Sequence, residues 1–219
     1  MLLLVRHGQT PSTGRDLPEA PPGPGLTDEG RRQAEEAARY IAEWRAALPN
    51  LAAIYTSPLT RTRETASILG KALDISPVEH QDLVDCNTGE WAGAALKDLF
   101  KKPEWRTVVS YPSGFVFPGG ESIRAMSERI VGAVRTLTGR HPGQSLIVVS
   151  HADPIKAVVT DALGLHLDLF QRVVVAPASV SAISYGELAP QVTLVNWTGP
   201  SGHLPKPAGR PPTVKESPN

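Results

Sequence analysis

Residues 1–8, MLLLVRHG, begin with a short apolar run that stops at a charged side chain. Two other stretches have the same character, LAAIYT at 51–56 and SLIVVS at 145–150. Short apolar runs that are bounded by polar or turn-forming residues are typical of strands covered on both faces of a sheet. The sequence therefore predicts three buried strands, each of which ends at or just before polar residues.

Segments with helical periodicity lie between these strands. The spacing of apolar and capping residues predicts four main helices, at 27–47, from Ser57-Pro58 to about Gly70, at 121–138, and from Asp153-Pro154 to about Leu163. The expected caps are Thr27, Ser57 and Asp153, and a proline follows the last two at the favoured first helical position. Weaker patterns predict a short strand near 76–80, a helix over 94–101 and two final strands at 179–185 and 191–197. Strands that alternate with helices indicate an α/β fold, here a three-layer αβα sandwich around a mostly parallel central sheet.

The composition excludes several classes of partner. The 219 residues include 22 Lys and Arg against 22 Asp and Glu, so the chain lacks the overall basic charge that is usual in nucleic-acid-binding domains. No apolar run approaches the roughly 20 residues of a membrane helix, so no membrane partner is expected. The single cysteine, Cys86, cannot form an internal disulfide, and a cytoplasmic location is the default expectation.

Glycine and proline are concentrated in two regions of the chain. Residues 198–219 are rich in both and nearly lack large apolar side chains, so a disordered tail is expected after a single domain at 1–197. Residues 11–25 have a similar composition but lie between a strand and a helix. They are therefore expected to form a long loop inside the domain, and such loops often line functional sites.

Charged side chains appear where the three buried strands end. Arg6 and His7 follow the first strand, Arg61 lies shortly after the second, and His151 follows the third. Ligand sites of open α/β sheets lie beyond the carboxyl ends of the strands. Two helices also begin at this edge, and their N-terminal N–H groups favour an anion. Because guanidinium groups match phosphate oxygens in shape and charge, the sequence predicts a phosphate site.

The two histidines of this site suggest covalent chemistry. One imidazole can stay neutral and nucleophilic beside two arginines, because nearby positive charge lowers its pKa, while the other is protonated and stabilises charge. Attack on phosphorus would give a phosphohistidine, and the leaving oxygen would need a proton from a nearby carboxylic acid.

Six sequence blocks, in this order, resemble those of the histidine phosphatase superfamily, which has the phosphoglycerate-mutase-like fold. The blocks are RHGQT at 6–10, LTDEG at 26–30, TSPLTRTRETA at 56–66, LVD at 83–85 with Gly89, Trp91 and Gly93, PGGES at 118–122, and VSH at 149–151. The resemblance extends over about residues 2–185. It implies that His7 is the nucleophile that is phosphorylated. It also implies that the phosphoryl oxygens are held by Arg6, Arg61 and His151.

Two positions depart from the family pattern. Asp85 lies where the family usually has a glutamate proton donor and is one methylene shorter, so either its loop moves inward or another acid, such as Glu90 or Glu121, donates the proton. Thr13 falls where the mutases carry an asparagine that contacts phosphate, and its hydroxyl is expected to donate one hydrogen bond there.

The resemblance implies a metal-independent phosphomonoester hydrolase that needs no cofactor and acts on a small cytosolic phosphate ester. A phosphomutase is an alternative, but the family's glycolytic mutases have a Trp-Asn pair soon after RHG where this chain has Pro11-Ser12-Thr13. They also have a long insertion after the acid, where this chain has a short connection. A non-catalytic phospholigand-binding module is a third alternative, and a metal-ligand pair of His151 with Asp153 is another interpretation of that histidine.

The substrate body is expected to contact two mouth segments, residues 11–25 and 100–118. Lys101, Lys102 and Arg106 lie in the second and suit either an anionic substrate or a solvated basic face. A homodimer through an edge strand is a further expectation.

Overall fold

The computed structural model describes residues 1–19, 21–48, 50–186 and 189–199. The tail predicted at 198–219 lies outside these residues from position 200 onwards. None of the helices within the described ranges is long and apolar enough to span a membrane.

The centre of the molecule is a six-stranded sheet with the order β3-β2-β4-β1-β5-β6. Its strands are β1 Leu2–Arg6, β2 Leu51–Thr56, β3 Val78–Glu79, β4 Ser145–Ser150, β5 Val180–Ser184 and β6 Gln191–Trp197. The first four strands in chain order are parallel, whereas β5 and β6 are antiparallel to their neighbours. Strand β1 lies between β4 and β5, so it has a hydrogen-bonded neighbour on each side.

In the described ranges, six α-helices surround the sheet. They are α1 Asp28–Glu43, α2 Thr60–Leu73, α3 Leu96–Leu99, α4 Pro103–Ser110, α5 Ile123–Arg140 and α6 Ala152–Ala162. Side chains of a strand alternate between its faces. Leu3 and Val5 of β1 pack with α1 and α2 in one buried cluster, and Leu2 and Leu4 pack with α5 and α6 in another. The predicted three-layer α/β architecture is confirmed.

Two helices start differently from the sequence-based expectation. Helix α2 has Leu59 at its N-cap position, and α6 begins directly after His151. Ser57 and Asp153 are therefore not caps. The hydroxyl of Ser57 instead contacts the ring of His151, and the carboxylate of Asp153 accepts a hydrogen bond from Lys156 at 3.0 Å. Thr27 caps α1 as predicted, because its hydroxyl accepts the Gly30 N–H.

The smaller elements are shorter than expected. The strand near 76–80 has two residues and the helix over 94–101 has four. Helix α4 was not predicted, although it begins at Pro103 and buries Val108.

Candidate active site

The backbone around His7 is fixed by the sheet and by a close glycine contact. The His7 N–H donates to the Ser150 carbonyl at 3.0 Å, and the Ala178 N–H donates to the His7 carbonyl at 3.1 Å. A Cβ on Gly8 would lie 2.2 Å from the Gly30 carbonyl oxygen. Only glycine allows the chain after β1 to pass this close to the first turn of α1, and this contact helps set the position of the preceding histidine.

The hydrogen bonds of the His7 ring determine which nitrogen is free to react. Nδ1 lies 2.7 Å from the Gly8 carbonyl oxygen, and a carbonyl oxygen can only accept, so Nδ1 carries the proton. The other nitrogen, Nε2, keeps its lone pair and accepts a hydrogen bond from Arg61 Nε at 3.2 Å. His7 thus has the tautomer that a nitrogen nucleophile needs.

Two guanidinium groups flank this nitrogen. Arg61, in the first turn of α2, is 2% exposed and donates from Nη2 to Asp85 Oδ2 at 3.0 Å. Arg6 donates from Nη1 to the Val175 carbonyl at 2.7 Å. Within the described part of the chain, Arg61 Nη1 and Arg6 Nε are buried and have no hydrogen-bond partner. Buried donors without acceptors are costly, and an anion at this position would satisfy them.

His151 lies opposite His7, with 5.2 Å between the two ring centroids. Its Nε2 is 2.9 Å from Ser57 Oγ, which also accepts the Leu59 N–H at 3.4 Å. The Ser57 hydroxyl can therefore donate to Nε2, and in that arrangement a neutral ring carries its proton on Nδ1. That Nδ1 is buried, has no hydrogen-bond partner among the described residues, and lies 3.5 Å from Asp85 Oδ2.

Both rings are held in the neutral form. Burial, then His151, Arg6 and Arg61, lower the pKa of His7 well below its usual value. Burial, then Arg61, Arg6 and Arg129, lower the pKa of His151 in the same way. The expectation that one ring is protonated differs from this result, because the sequence does not reveal that both rings are removed from water beside guanidinium groups.

The candidate acid Asp85 lies at this site, and the two alternative acids do not share its contacts. Asp85 Oδ2 contacts both Arg61 and His151, and the side chain is 17% exposed. Glu121 instead pairs with Arg129 at 2.9 Å, and Glu90 is exposed. Of the three acids, Asp85 is the one that contacts Arg61 and His151, and its role as proton donor remains a prediction.

Thr13 occupies a turn directly after the RHG segment. Its hydroxyl accepts the Thr10 N–H at 2.9 Å and lies 3.0 Å from Thr10 Oγ1. These contacts join Thr13 to its own turn, and its role in binding phosphate remains a prediction.

The loop at 11–25 packs against the start of α2. The Pro22 carbonyl accepts hydrogen bonds from the Thr60 N–H and hydroxyl, both at 3.3 Å, and a Cβ on Gly23 would lie 3.0 Å from Arg61 Nη1. The same loop pairs with residues 94–96 through backbone hydrogen bonds. The three basic residues of the second predicted mouth segment are exposed, and they are Lys101, Lys102 and Arg106. Lys101 pairs with Asp98 at 2.8 Å, as expected of a solvated face.

In the described ranges, no group of three or more His, Cys, Asp and Glu side chains is placed to hold a metal ion. His151 faces Asp85 and Ser57, whereas Asp153 pairs with Lys156, so these two residues have separate partners.

Sequence reasoning missed two residues that contact the site. Ser57 was interpreted as a helix cap, and no signal pointed to its contact with His151. Arg129 lies on the amphipathic helix α5, and its contacts are with the segment that carries Asp85.

Several known proteins resemble this chain in sequence. Phosphoserine phosphatase 1 from Hydrogenobacter thermophilus is 29% identical over 199 residues, which cover 90% of this chain and 92% of that protein. A probable phosphoglycerate mutase, GpmB, from Cronobacter sakazakii is 30% identical over 211 residues, which cover 94% of this chain and 95% of that protein. The chain spans about half, 54%, of the length of mycobacterial relatives that are 34% identical to it, one of which is the bifunctional protein Rv2228c from Mycobacterium tuberculosis.

The fold is also similar to solved structures. The product of open reading frame Rv3214 from Mycobacterium tuberculosis is 28% identical, with a TM-score of 0.75, and the similarity covers 90% of this chain and 97% of that one. A family model for the histidine phosphatase superfamily (branch 1) matches residues 2–198. Because this match takes in every block that surrounds the paired histidines, the chain belongs to the histidine phosphatase superfamily.

Proposed function

We propose that this protein hydrolyses small phosphate monoesters without a metal ion, through a phosphohistidine formed at His7. Membership of the superfamily and relatives named as phosphatases support an enzyme of the histidine phosphatase type. One observation carries the mechanism. His7 Nε2 lies 3.2 Å from Arg61 Nε and the His151 ring lies 5.2 Å from the His7 ring, while Arg6 Nε, Arg61 Nη1 and His151 Nδ1 are buried without a hydrogen-bond partner in the described chain.

In the first step, His7 Nε2 attacks the phosphorus atom and the bond from phosphorus to the ester oxygen breaks. The N–H groups of Arg6, Arg61 and His151 hold the phosphoryl oxygens while negative charge builds on them. In this proposal Asp85 enters the step as the carboxylic acid. Asp85 then transfers its proton to the departing oxygen, and the alcohol leaves.

In the second step, a water molecule attacks the phosphohistidine. The Asp85 carboxylate takes a proton from this water, a new oxygen–phosphorus bond forms, and the bond from phosphorus to His7 Nε2 breaks. Inorganic phosphate is released, and both His7 and Asp85 return to their starting states.

Hydrolysis is favoured over transfer to a second hydroxyl of the substrate by the residues around the loop at 11–25. Pro11-Ser12-Thr13 replaces the Trp-Asn pair of the glycolytic mutases, and the connection after Asp85 is short. A binding module without catalysis is disfavoured because His7, His151 and both arginines are all present and converge.

The test is phosphate release from p-nitrophenyl phosphate and from a panel of alkyl phosphates that includes phosphoserine. We expect turnover that persists in EDTA, disappears in His7→Ala and is unchanged in the control His166→Ala, whose side chain is 67% exposed. Turnover by His7→Ala at the wild-type rate would overturn the nucleophile. Loss of activity in EDTA would overturn metal independence. Addition of an acceptor alcohol separates the alternatives, because transfer to that alcohol in place of phosphate release would support the mutase.

A further inference from the structure

We propose that Arg129 is a positioning residue for the reaction, which fixes the Asp85 carboxyl by holding the backbone of residues 82–85. The inference rests on the proposed function, in which Asp85 donates the proton to the leaving group. Arg129 does not touch the reacting atoms and acts through the segment that carries the acid.

The guanidinium group of Arg129 binds three carbonyl groups of this segment. Nη1 donates to the Asp82 carbonyl at 2.8 Å and to the Val84 carbonyl at 3.1 Å, and Nη2 donates to the Asp85 carbonyl at 3.3 Å. A single side chain from the long helix α5 thus fixes the chain on both sides of Leu83, whose own carbonyl accepts from the Ser150 hydroxyl at 2.9 Å.

Glu121 completes the arrangement from the other side. Its carboxylate accepts from Arg129 Nε at 3.0 Å and from Nη2 at 2.9 Å, which orients the planar guanidinium group. The same carboxylate accepts the Asn87 N–H at 3.3 Å, and the Glu121 N–H donates to the Asn87 carbonyl at 2.8 Å. Residues on both sides of Asp85 are therefore attached to one ion pair.

The backbone of this segment has no other regular support. A short 3₁₀ turn ends at Leu83, and the chain is irregular until Gly89, so residues 84–88 belong to no helix or strand. Aspartate has one side-chain bond fewer than the glutamate usual in the family, so its carboxyl cannot compensate for a backbone shift. A displacement of the Asp85 Cα would move the carboxyl directly away from its positions 3.0 Å from Arg61 Nη2 and 3.5 Å from His151 Nδ1.

Lysine at position 129 tests this idea with little change in size or charge. A lysine ammonium group is a compact point charge and cannot make the fork-shaped contacts of a guanidinium group with three carbonyls and a carboxylate. We expect Arg129→Lys to lower kcat/KM for an alkyl phosphate such as phosphoserine at least tenfold, because kcat/KM reports the steps up to release of the alcohol and this leaving group needs a proton. We expect kcat/KM for p-nitrophenyl phosphate, whose leaving group does not need a proton, to change less than about threefold.

The matched control is Arg135→Lys on the same helix. Arg135 binds the Asp161 carboxylate through Nη2 at 2.9 and 3.0 Å, and its side chain is 66% exposed. This variant makes the same substitution at an arginine that binds a carboxylate away from the Asp85 segment, so we expect wild-type kcat/KM on both substrates.

A purely structural role for Arg129 would reduce activity on both substrates by the same factor, in line with the folded fraction, and that outcome would overturn the proposal. Glu121→Gln keeps the shape of the pair and removes its charge, so it should show a smaller loss with the same preference for the alkyl substrate. If Arg129→Lys does not fold, Glu121→Gln is used for the test instead. Asp85→Asn is measured beside them. Equal losses of kcat/KM on both substrates in that variant would overturn the role of Asp85 as the acid. A selective loss there without one in Arg129→Lys would overturn only the positioning role.

Discussion

Replacing both pocket histidines with asparagine should make the folded protein less sensitive to mild acid. His7 and His151 are 5% and 0% exposed, and both have pKa values well below the 6.5 of a free imidazole. In the unfolded chain both rings regain an ordinary pKa. Between pH 6.5 and the lowered values, the unfolded state therefore binds up to two more protons than the folded state, and stability falls as the pH falls.

The size of this effect follows from the two neutral rings. Each ring that stays neutral in the folded protein lowers the free energy of unfolding by about 1.4 kcal/mol at pH 5.5 relative to pH 8. The reason is that the same ring is protonated in the unfolded chain at pH 5.5. The pair should therefore remove about 3 kcal/mol of the free energy of unfolding over this range. Asparagine does not titrate, so the variant His7→Asn/His151→Asn should lose about 3 kcal/mol less than the wild type over the same change of pH.

Urea unfolding at pH 8 and pH 5.5, in buffer without phosphate, measures this difference. Carboxylates titrate in the wild type and the variant alike, so their contribution cancels when the two pH dependences are subtracted. Each single variant should recover about half of the effect. Identical pH dependences for the wild type and the double variant would refute the claim that both rings are buried in the neutral form.

Other contacts lead to predictions of a different kind. Ser57→Ala removes the hydroxyl that selects the Nδ1–H tautomer of His151, so kcat on p-nitrophenyl phosphate should fall at least tenfold with KM little changed. The ¹⁵N NMR spectrum of the His151 ring should show the altered tautomer, and an unchanged spectrum would contradict this role. Gly8→Ala would place a Cβ 2.2 Å from the Gly30 carbonyl oxygen and should destabilise the fold by about 3 kcal/mol in urea unfolding, whereas wild-type stability would show that the chain can move aside. Gly132→Ala has no heavy atom within 4 Å of the new Cβ on α5 and should stabilise the protein by about 0.5–1 kcal/mol in the same assay; a loss of stability would be the contrary result.

The sequence predicts best those segments whose apolar pattern alone identifies them as strands. SLIVVS is a strand over the predicted residues and is buried at all six positions. LAAIYT is also a strand over the predicted residues, but only Ile54 and Thr56 are buried, so the expectation of a fully buried strand was wrong there. The starts of α2 and α6 were misplaced because Ser57-Pro58 and Asp153-Pro154 resemble caps locally. The hydroxyl of Ser57 is used by His151, 94 residues away in the chain, and local rules contain no information about that contact.

The residues that form the candidate site were predictable from the sequence, but their charge states were not. The sequence order and the ends of parallel strands indicate that His7, Arg61 and His151 converge, and the structure brings them together. The charge state of the rings was not predictable, because it depends on how completely neighbouring elements exclude water. The contacts of Arg129 could not be predicted from the sequence, because most of its partners are backbone carbonyls. Every residue type has a backbone carbonyl, so the side chains at 82–85 do not indicate this contact.

The position of β1 between two partners has a consequence for hydrogen exchange. Its amides are held in a ladder on both sides, so they should exchange with deuterium only when the whole domain unfolds. The protection continues past the strand, because the His7 N–H donates to the Ser150 carbonyl at 3.0 Å and the Gly8 N–H to the Thr65 hydroxyl at 3.1 Å. The nucleophile therefore lies within the protected part of the chain, and the sequence at the mouth of the pocket can vary while the attacking nitrogen stays where the sheet places it.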